Sequence, residues 1–167
     1  MIGRPEPSPN GRPVVRRIGV AEPDALAARA LPDAECLRLL TQVRFGRIVY
    51  SRYASPAIRP VNHVVDEEMI VVGTGLGVEI PPYQQVVTYE ADTLDPDTQQ
   101  GWCVIVTGTA EPVTDPDESA RYHQLLHFRL PGGQENILCI RPEVITGIEY
   151  LDPTDQGVEG QSPEIRR

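Results

Sequence analysis

The stretch from Phe45 to Ile80, FGRIVYSRYASPAIRPVNHVVDEEMIVVGTGLGVEI, constrains the fold more than any other part of the chain. Three runs rich in β-branched residues follow one another: Gly46 to Ser51, Ala57 to Val65 and Met69 to Thr74. Val, Ile and Tyr fit a pleated, half-buried surface. The links between the runs are too short for a helical crossover, so neighbouring runs must pair antiparallel. Ser55-Pro56 and Asp66-Glu67-Glu68 supply turn chemistry. The third run ends in a glycine-spaced corner, Gly73-Thr74-Gly75-Leu76-Gly77, expected to face a ligand. The stretch therefore predicts a three-stranded antiparallel meander that the rest of the chain covers, closes or pairs.

The flanks agree with that role. Ala25 to Ala30 reads as a short helical turn. Leu31-Pro32-Asp33-Ala34-Glu35 then starts a helix, with Pro32 in the first turn and acids at the positive end of the dipole. Its apolar face, Cys36, Leu37, Leu39, Leu40 and Val43, runs to Gly46, which is expected to end it. Gln84 to Asp92 alternates as a fourth strand, and Asp92 to Gln100 is an acidic loop. Trp102 to Val113 is a long fifth strand whose Gly108 predicts a bulge or a close approach. Thr114 to Glu118 caps a helix reaching about Phe128. Ile137 to Arg141 and Val144 to Tyr150 form a closing strand interrupted at Pro142. About six strands with local connections predict a mainly β fold with flanking helices, a small antiparallel barrel. The domain spans 23–151. The Pro-rich segment 1–22 and the polar segment 152–167 read as disordered tails.

Composition excludes several functions. Net charge is -9, which opposes general binding to a nucleic-acid backbone. Arg12, Arg16 and Arg17 have no aromatic partners that would make a nucleic-acid arm. All 15 basic residues are Arg, so no Lys is present to form a Schiff base or act as a general base. No apolar run approaches the ~20 residues a membrane helix needs, and no signal-peptide core is seen. Cys36, Cys103 and Cys139 are scattered, without metal-type spacing; they read as reduced, buried thiols of a cytoplasmic protein. Ser51 and Ser55 have no hydrolase context. His123 and His127 stand i,i+4 on the second helix with no acidic third ligand in view, and read as a structural or solvent face. The GxGxG corner is not a dinucleotide fingerprint, because no helix of a βαβ unit follows it.

Four segments together carry a resemblance. Phe45-Gly46-Arg47-Ile48, then Pro60 to Asp66 (PVNHVVD), then Ile70 to Gly77 (IVVGTGLG), then Gly101 to Ala110 (GWCVIVTGTA), resemble pyridoxamine 5'-phosphate oxidase-related proteins, in the right order and spacing over roughly Leu31 to Tyr150. The resemblance implies a six-stranded split β-barrel of the FMN-binding type. It implies a homodimer with two flavin sites at the subunit interface. The flavin ring would lie against the backbone of the second strand, Arg59, Pro60, Val61, Asn62 and His63. The phosphate would sit at the corner formed by Val72, Gly73, Thr74, Gly75, Gly77 and Glu79. Trp102 would pack near the cofactor or across the dimer, or else anchor the core.

One departure matters. Family members typically begin the corner with Arg and end it with Lys, where this chain has Gly73 and Glu79. Each charge-assisted bond lost to a phosphate is worth roughly 1.5–3 kcal/mol. Thr74 and the amides of Gly75 to Gly77 would be left as a neutral nest. The resemblance implies an oxidoreductase that uses FMN or a deazaflavin coenzyme on a small molecule. Two other readings stand beside it: a non-enzymatic dimeric module with a decayed phosphate site, and a haem-binding or haem-degrading relative using His63 or a late histidine.

Overall fold

The computed structural model describes residues 26–75, 85–126 and 136–152. Among them are seven strands and two helices: β1 (Ala27–Leu31), α1 (Asp33–Leu40), β2 (Phe45–Arg52), β3 (Ser55–Asp66), β4 (Met69–Thr74), β5 (Gln85–Asp92), β6 (Gly101–Pro112), α2 (Pro116–Leu125) and β7 (Asn136–Leu151). All pairings are antiparallel, in the order β1-β7-β4-β3-β2-β5-β6, and β6 also pairs with β7. That last pairing closes the ring into a barrel. β7 makes closure possible because it pairs with β6 from Leu138 to Tyr150 while also pairing with β4 from Asn136 to Ile140 and with β1 from Gly147 to Leu151.

The core follows from alternation along each strand. Gly46, Ile48 and Tyr50 of β2, Val87, Tyr89 and Ala91 of β5, and Val104 and Val106 of β6 point inward. They pack with Val61, Ile70, Val72, Leu138 and Ile140 in one cluster, which α1 covers with Cys36, Leu39 and Leu40. A smaller cluster lies outside the barrel, where Tyr122 and Leu126 cover Val71 and Ile137. Asp66, at the end of β3, ties α2 down by accepting from Arg121 Nη2 at 2.6 Å and Tyr122 Oη at 2.8 Å.

Four expectations change. Ala27 to Leu31 is a strand rather than a helical turn. Its pairing with Gly147 to Leu151 and the Arg29–Glu149 ion pair across it override the helical preference of alanine. The first helix ends at Leu40, not at Gly46. Gly46 lies inside β2, where a Cβ would come 2.1 Å from Tyr89 Oη and 2.4 Å from the Glu90 carbonyl. The turn between β2 and β3 falls at Tyr53-Ala54, both left-handed (φ 50° and 59°), and Ser55-Pro56 belongs to the strand. Glu67-Glu68 makes the next turn in the same way, with φ 47° and 66°. Two-residue turns of this hand match the twist of the strands they join. The closing strand is continuous through Pro142, with the expected irregularity between Thr107 and Gly108. A Cβ on Gly108 would lie 1.9 Å from the Arg141 carbonyl, so glycine lets β7 cross close there. The two expected tails lie outside the described residues, apart from Asp152.

Candidate flavin shelf on the third strand

β3 is paired on both sides only along part of its length. Its pairing with β2 runs from Ser55 to Asn62, and its pairing with β4 from Asn62 to Asp66. The His63 N–H donates to the Arg44 carbonyl at 3.1 Å, on the β2 side. Backbone groups alternate sides along an antiparallel strand, so Asn62, Pro60 and Ile58 direct theirs the other way. Asn62 meets Gly73 of β4. Pro60 and Ile58 meet no strand among the described residues. Among the described residues the β4 side of β3 is therefore unpaired at Ile58 and Pro60, and Pro60 brings no N–H to it. Continuing the Asn62–Gly73 register by two residues brings Pro60 level with Gly75.

The two polar side chains of the PVNH segment are used inside the protein. Asn62 Nδ2 donates to the Arg44 carbonyl at 3.2 Å. That carbonyl can only accept, which fixes the amide orientation and leaves Asn62 Oδ1 buried without a protein partner. His63 is 1 % exposed, with Nε2 2.9 Å from the Leu40 carbonyl and Nδ1 2.6 Å from Tyr89 Oη. The carbonyl requires the proton on Nε2, so Nδ1 accepts from the tyrosine hydroxyl. Burial holds the His63 pKa below its usual value, against the opposing pull of the Leu40 hydrogen bond. Burial, with Glu90 adding to it, pushes the Tyr89 pKa up. The ring is neutral and both nitrogens are taken. It caps a carbonyl at the end of α1, which helix geometry leaves without an intrahelical donor.

The other expected site residues fall into separate places. Val61 and Val72 are core. Gly73 and Thr74 close β4, and the Thr74 hydroxyl donates to the Asn136 carbonyl at 3.0 Å. Its proton is therefore not available to a phosphate. Trp102 is buried in the main core, which favours the anchoring reading. Arg59 is half-buried, and its Nη1 turns back to the Ile58 carbonyl at 2.7 Å, on the free edge. Gly77 and Glu79 lie outside the described residues. Tyr89 was not anticipated from sequence: alternation places it inward but does not name its partner. Among the described residues no group of three or more His, Cys, Asp or Glu side chains is arranged to hold a metal.

Two grooves among the described residues lie away from this strand. One of about 450 Å³ is lined by Asp33, Leu37, Glu67, Glu68, Met69 and Arg141 among others. Three carboxylates beside one arginine do not suit an anionic cofactor. Among the described residues, the β4 side of β3 at Ile58 and Pro60 carries unpaired backbone and the Arg59 guanidinium.

Comparison with known proteins gives this arrangement a family. The pyridoxamine 5'-phosphate oxidase family model matches residues 32–150. The chain belongs to that family. It is 43 % identical over 124 residues to the uncharacterized protein Rv0080 of Mycobacterium tuberculosis, covering 70 % of this chain and 82 % of that protein. Among solved structures, a Corynebacterium glutamicum protein assigned to the pyridoxamine 5'-phosphate oxidases is similar at 32 % identity and a TM-score of 0.61, covering 75 % of this chain and 94 % of that one. An FAD-binding protein of Mycobacterium smegmatis is similar at 29 % identity and a TM-score of 0.55, covering 74 % and 99 %. The split barrel is thus the family fold.

Proposed function

We propose that this protein is a homodimeric flavin-binding oxidoreductase acting on a small molecule, with the ring of FMN, FAD or a deazaflavin laid along the free edge of β3. The observation that supports the reading is that edge: among the described residues the backbone of Ile58 and Pro60 has no strand partner on the β4 side, and the Arg59 guanidinium lies against the Ile58 carbonyl there. Bound flavin supplies the hydride chemistry. The protein's residues supply the shelf, hold the ring edge through backbone carbonyls and exclude water through the buried valines behind it. The similarity to an FAD-binding protein of Mycobacterium smegmatis supports flavin as the cofactor class.

The dimer is proposed on the outer face of the barrel. Val86, Ile105, Val144 and Ile148 alternate with the buried residues of β5, β6 and β7 and lie exposed on the opposite side. An apolar sheet face of this kind is covered by a partner in a stable protein.

The test is a titration of purified protein with FMN, FAD and the deazaflavin, followed by flavin fluorescence and the visible spectrum. Saturable binding in the micromolar range, with the bound flavin reduced or reoxidised by a small-molecule partner, is the expected result. Absence of binding of all three at tens of micromolar refutes the reading. Binding without turnover selects the second reading, a non-enzymatic module, which the spent Thr74 hydroxyl and Gly73 favour. Haem ligation through His63 would require breaking one of its two buried hydrogen bonds and opening a path to a side chain that is 1 % exposed.

A further inference from the structure

We propose that the segment Val14 to Ile18 of this chain (VVRRI) docks in a gap along one edge of β7, with Arg16 and Arg17 against Asp33, Glu67 and Glu68. The inference does not depend on the flavin reading. It starts from the sheet. One edge of β7 pairs with β6. The other pairs with β4 from Asn136 to Ile140 and with β1 from Gly147 to Leu151. Between those two partners, from Arg141 to Thr146, no strand among the described residues pairs on that edge. Unpaired backbone between two strands is a template for an extended segment. The groove of about 450 Å³ opens over this gap. Leu37, Met69 and Ile145 line it half-buried, while Asp33, Glu67 and Glu68 are exposed. Among the described residues these three carboxylates are in no ion pair, and Arg141 is the one cation lining the same groove. An adjoining groove that shares Met69 and Arg141 adds Glu111, Asp115 and Glu118. An acidic surface with an apolar floor suits a basic, partly apolar segment.

The chain itself carries one, ahead of the described residues, which begin at residue 26. Net charge is -9, yet between Glu6 and Glu22 there are three arginines and no acid. Val14, Val15 and Ile18 flank Arg16 and Arg17, and β-branched residues favour extended backbone. Length agrees with chemistry. Ala27 stands opposite Leu151, and Val144 in the middle of the gap is seven residues back along β7, about 23 Å. The eight residues from Leu26 back to Ile18 span at most about 29 Å. An arm returning beside β1 therefore brings Arg16 and Arg17 over the gap. The carboxylates stand where it arrives: Asp33 follows β1 by two residues, and Glu67-Glu68 make the turn into β4. A second copy's segment or a foreign basic peptide has the same chemistry, but tethering raises the effective concentration of the chain's own to the millimolar range.

The experiment is hydrogen–deuterium exchange followed by mass spectrometry on the full chain at pH 7.5. Four proteins are compared: wild type, Arg16→Glu with Arg17→Glu, Glu67→Arg with Glu68→Arg, and all four changes together. Amides of Val15 to Ile18 in wild type are expected to exchange at least about tenfold more slowly than in a free peptide of the same sequence. Each double variant is expected to lose that protection and to speed exchange from Val144 to Thr146. The fourfold variant should regain it, and about 0.5 M salt should weaken it. Wild-type Val15 to Ile18 exchanging as fast as the free peptide overturns the proposal, whether or not any variant folds. So does protection that neither charge reversal disturbs. Protection that falls on about fiftyfold dilution gives the gap to a second copy's segment and overturns docking within one chain.

Discussion

Removing the hydroxyl of Tyr89 tests the buried chain Tyr89–His63–Leu40, which joins β5, β3 and α1. Tyr89→Phe keeps the ring and its packing, and deletes the donor 2.6 Å from His63 Nδ1. The ring cannot rotate to compensate, because Nε2 is held by the Leu40 carbonyl. Nδ1 therefore becomes a buried acceptor without a donor, which costs about 1–3 kcal/mol. The change is read by urea unfolding at pH 7.5 and one fixed protein concentration, with the slope m unchanged. His63→Gln in the Tyr89→Phe background supplies the coupling. A glutamine at 63 no longer needs the hydroxyl in the same way, so the two losses should add up to less than their sum. A Tyr89→Phe protein within about 0.5 kcal/mol of wild type would refute the assigned tautomer and the capping role built on it.

Acid should act on the same chain. The folded His63 pKa lies below its reference of 6.5, so the unfolded chain takes up the proton first. The stability from the neutral ring is present above pH 6.5 and is lost as pH falls below it, by at most about 1.4 kcal/mol per pH unit; His63→Gln should flatten that slope in urea melts between pH 7.5 and 5.5. Gly108→Ala should destabilise by more than about 2 kcal/mol in the same assay, because its Cβ meets a backbone carbonyl at 1.9 Å rather than a movable side chain. If the proposed dimer forms on this face, wild type should sediment as a dimer and Val144→Asp with Ile148→Asp as a monomer with intact far-UV circular dichroism; a monomeric wild type or an unchanged dimer mass in the variant refutes that placement.

Period-two alternation made most of the barrel legible. Inward and outward residues of β2, β5 and β6 follow directly from it, and short links force antiparallel neighbours. The errors fall where a local preference competes with a partner distant in sequence. Ala27 to Ala30 prefers helix, yet it pairs with β7 some 120 residues later, and no local signal carries that partner. Gly46 looks like a helix stop, while its glycine is required by a tyrosine 43 residues away. The turn at Tyr53-Ala54 has neither the Asn nor the Gly that usually marks left-handed turns, so the nearby Ser55-Pro56 drew attention instead. In each case the deciding atom belongs to another strand.

The candidate site shows the same division, with a consequence for how the PVNH segment is to be understood. Its histidine and asparagine look like ligand-binding residues on a strand. The structure spends His63 on closing the end of α1 and Asn62 Nδ2 on the Arg44 carbonyl. Both bonds fix the path from α1 into β2, and β2 in turn fixes how far β3 runs before β4 takes over as its neighbour. The polar residues therefore shape the free edge instead of touching what lies on it. What remains for the proposed ligand is backbone at Ile58 and Pro60 and the arginine before Pro60. On the proposed reading such a site tolerates change at the corner after β4, because its geometry is set from the opposite side of the split, by β2 and the end of α1.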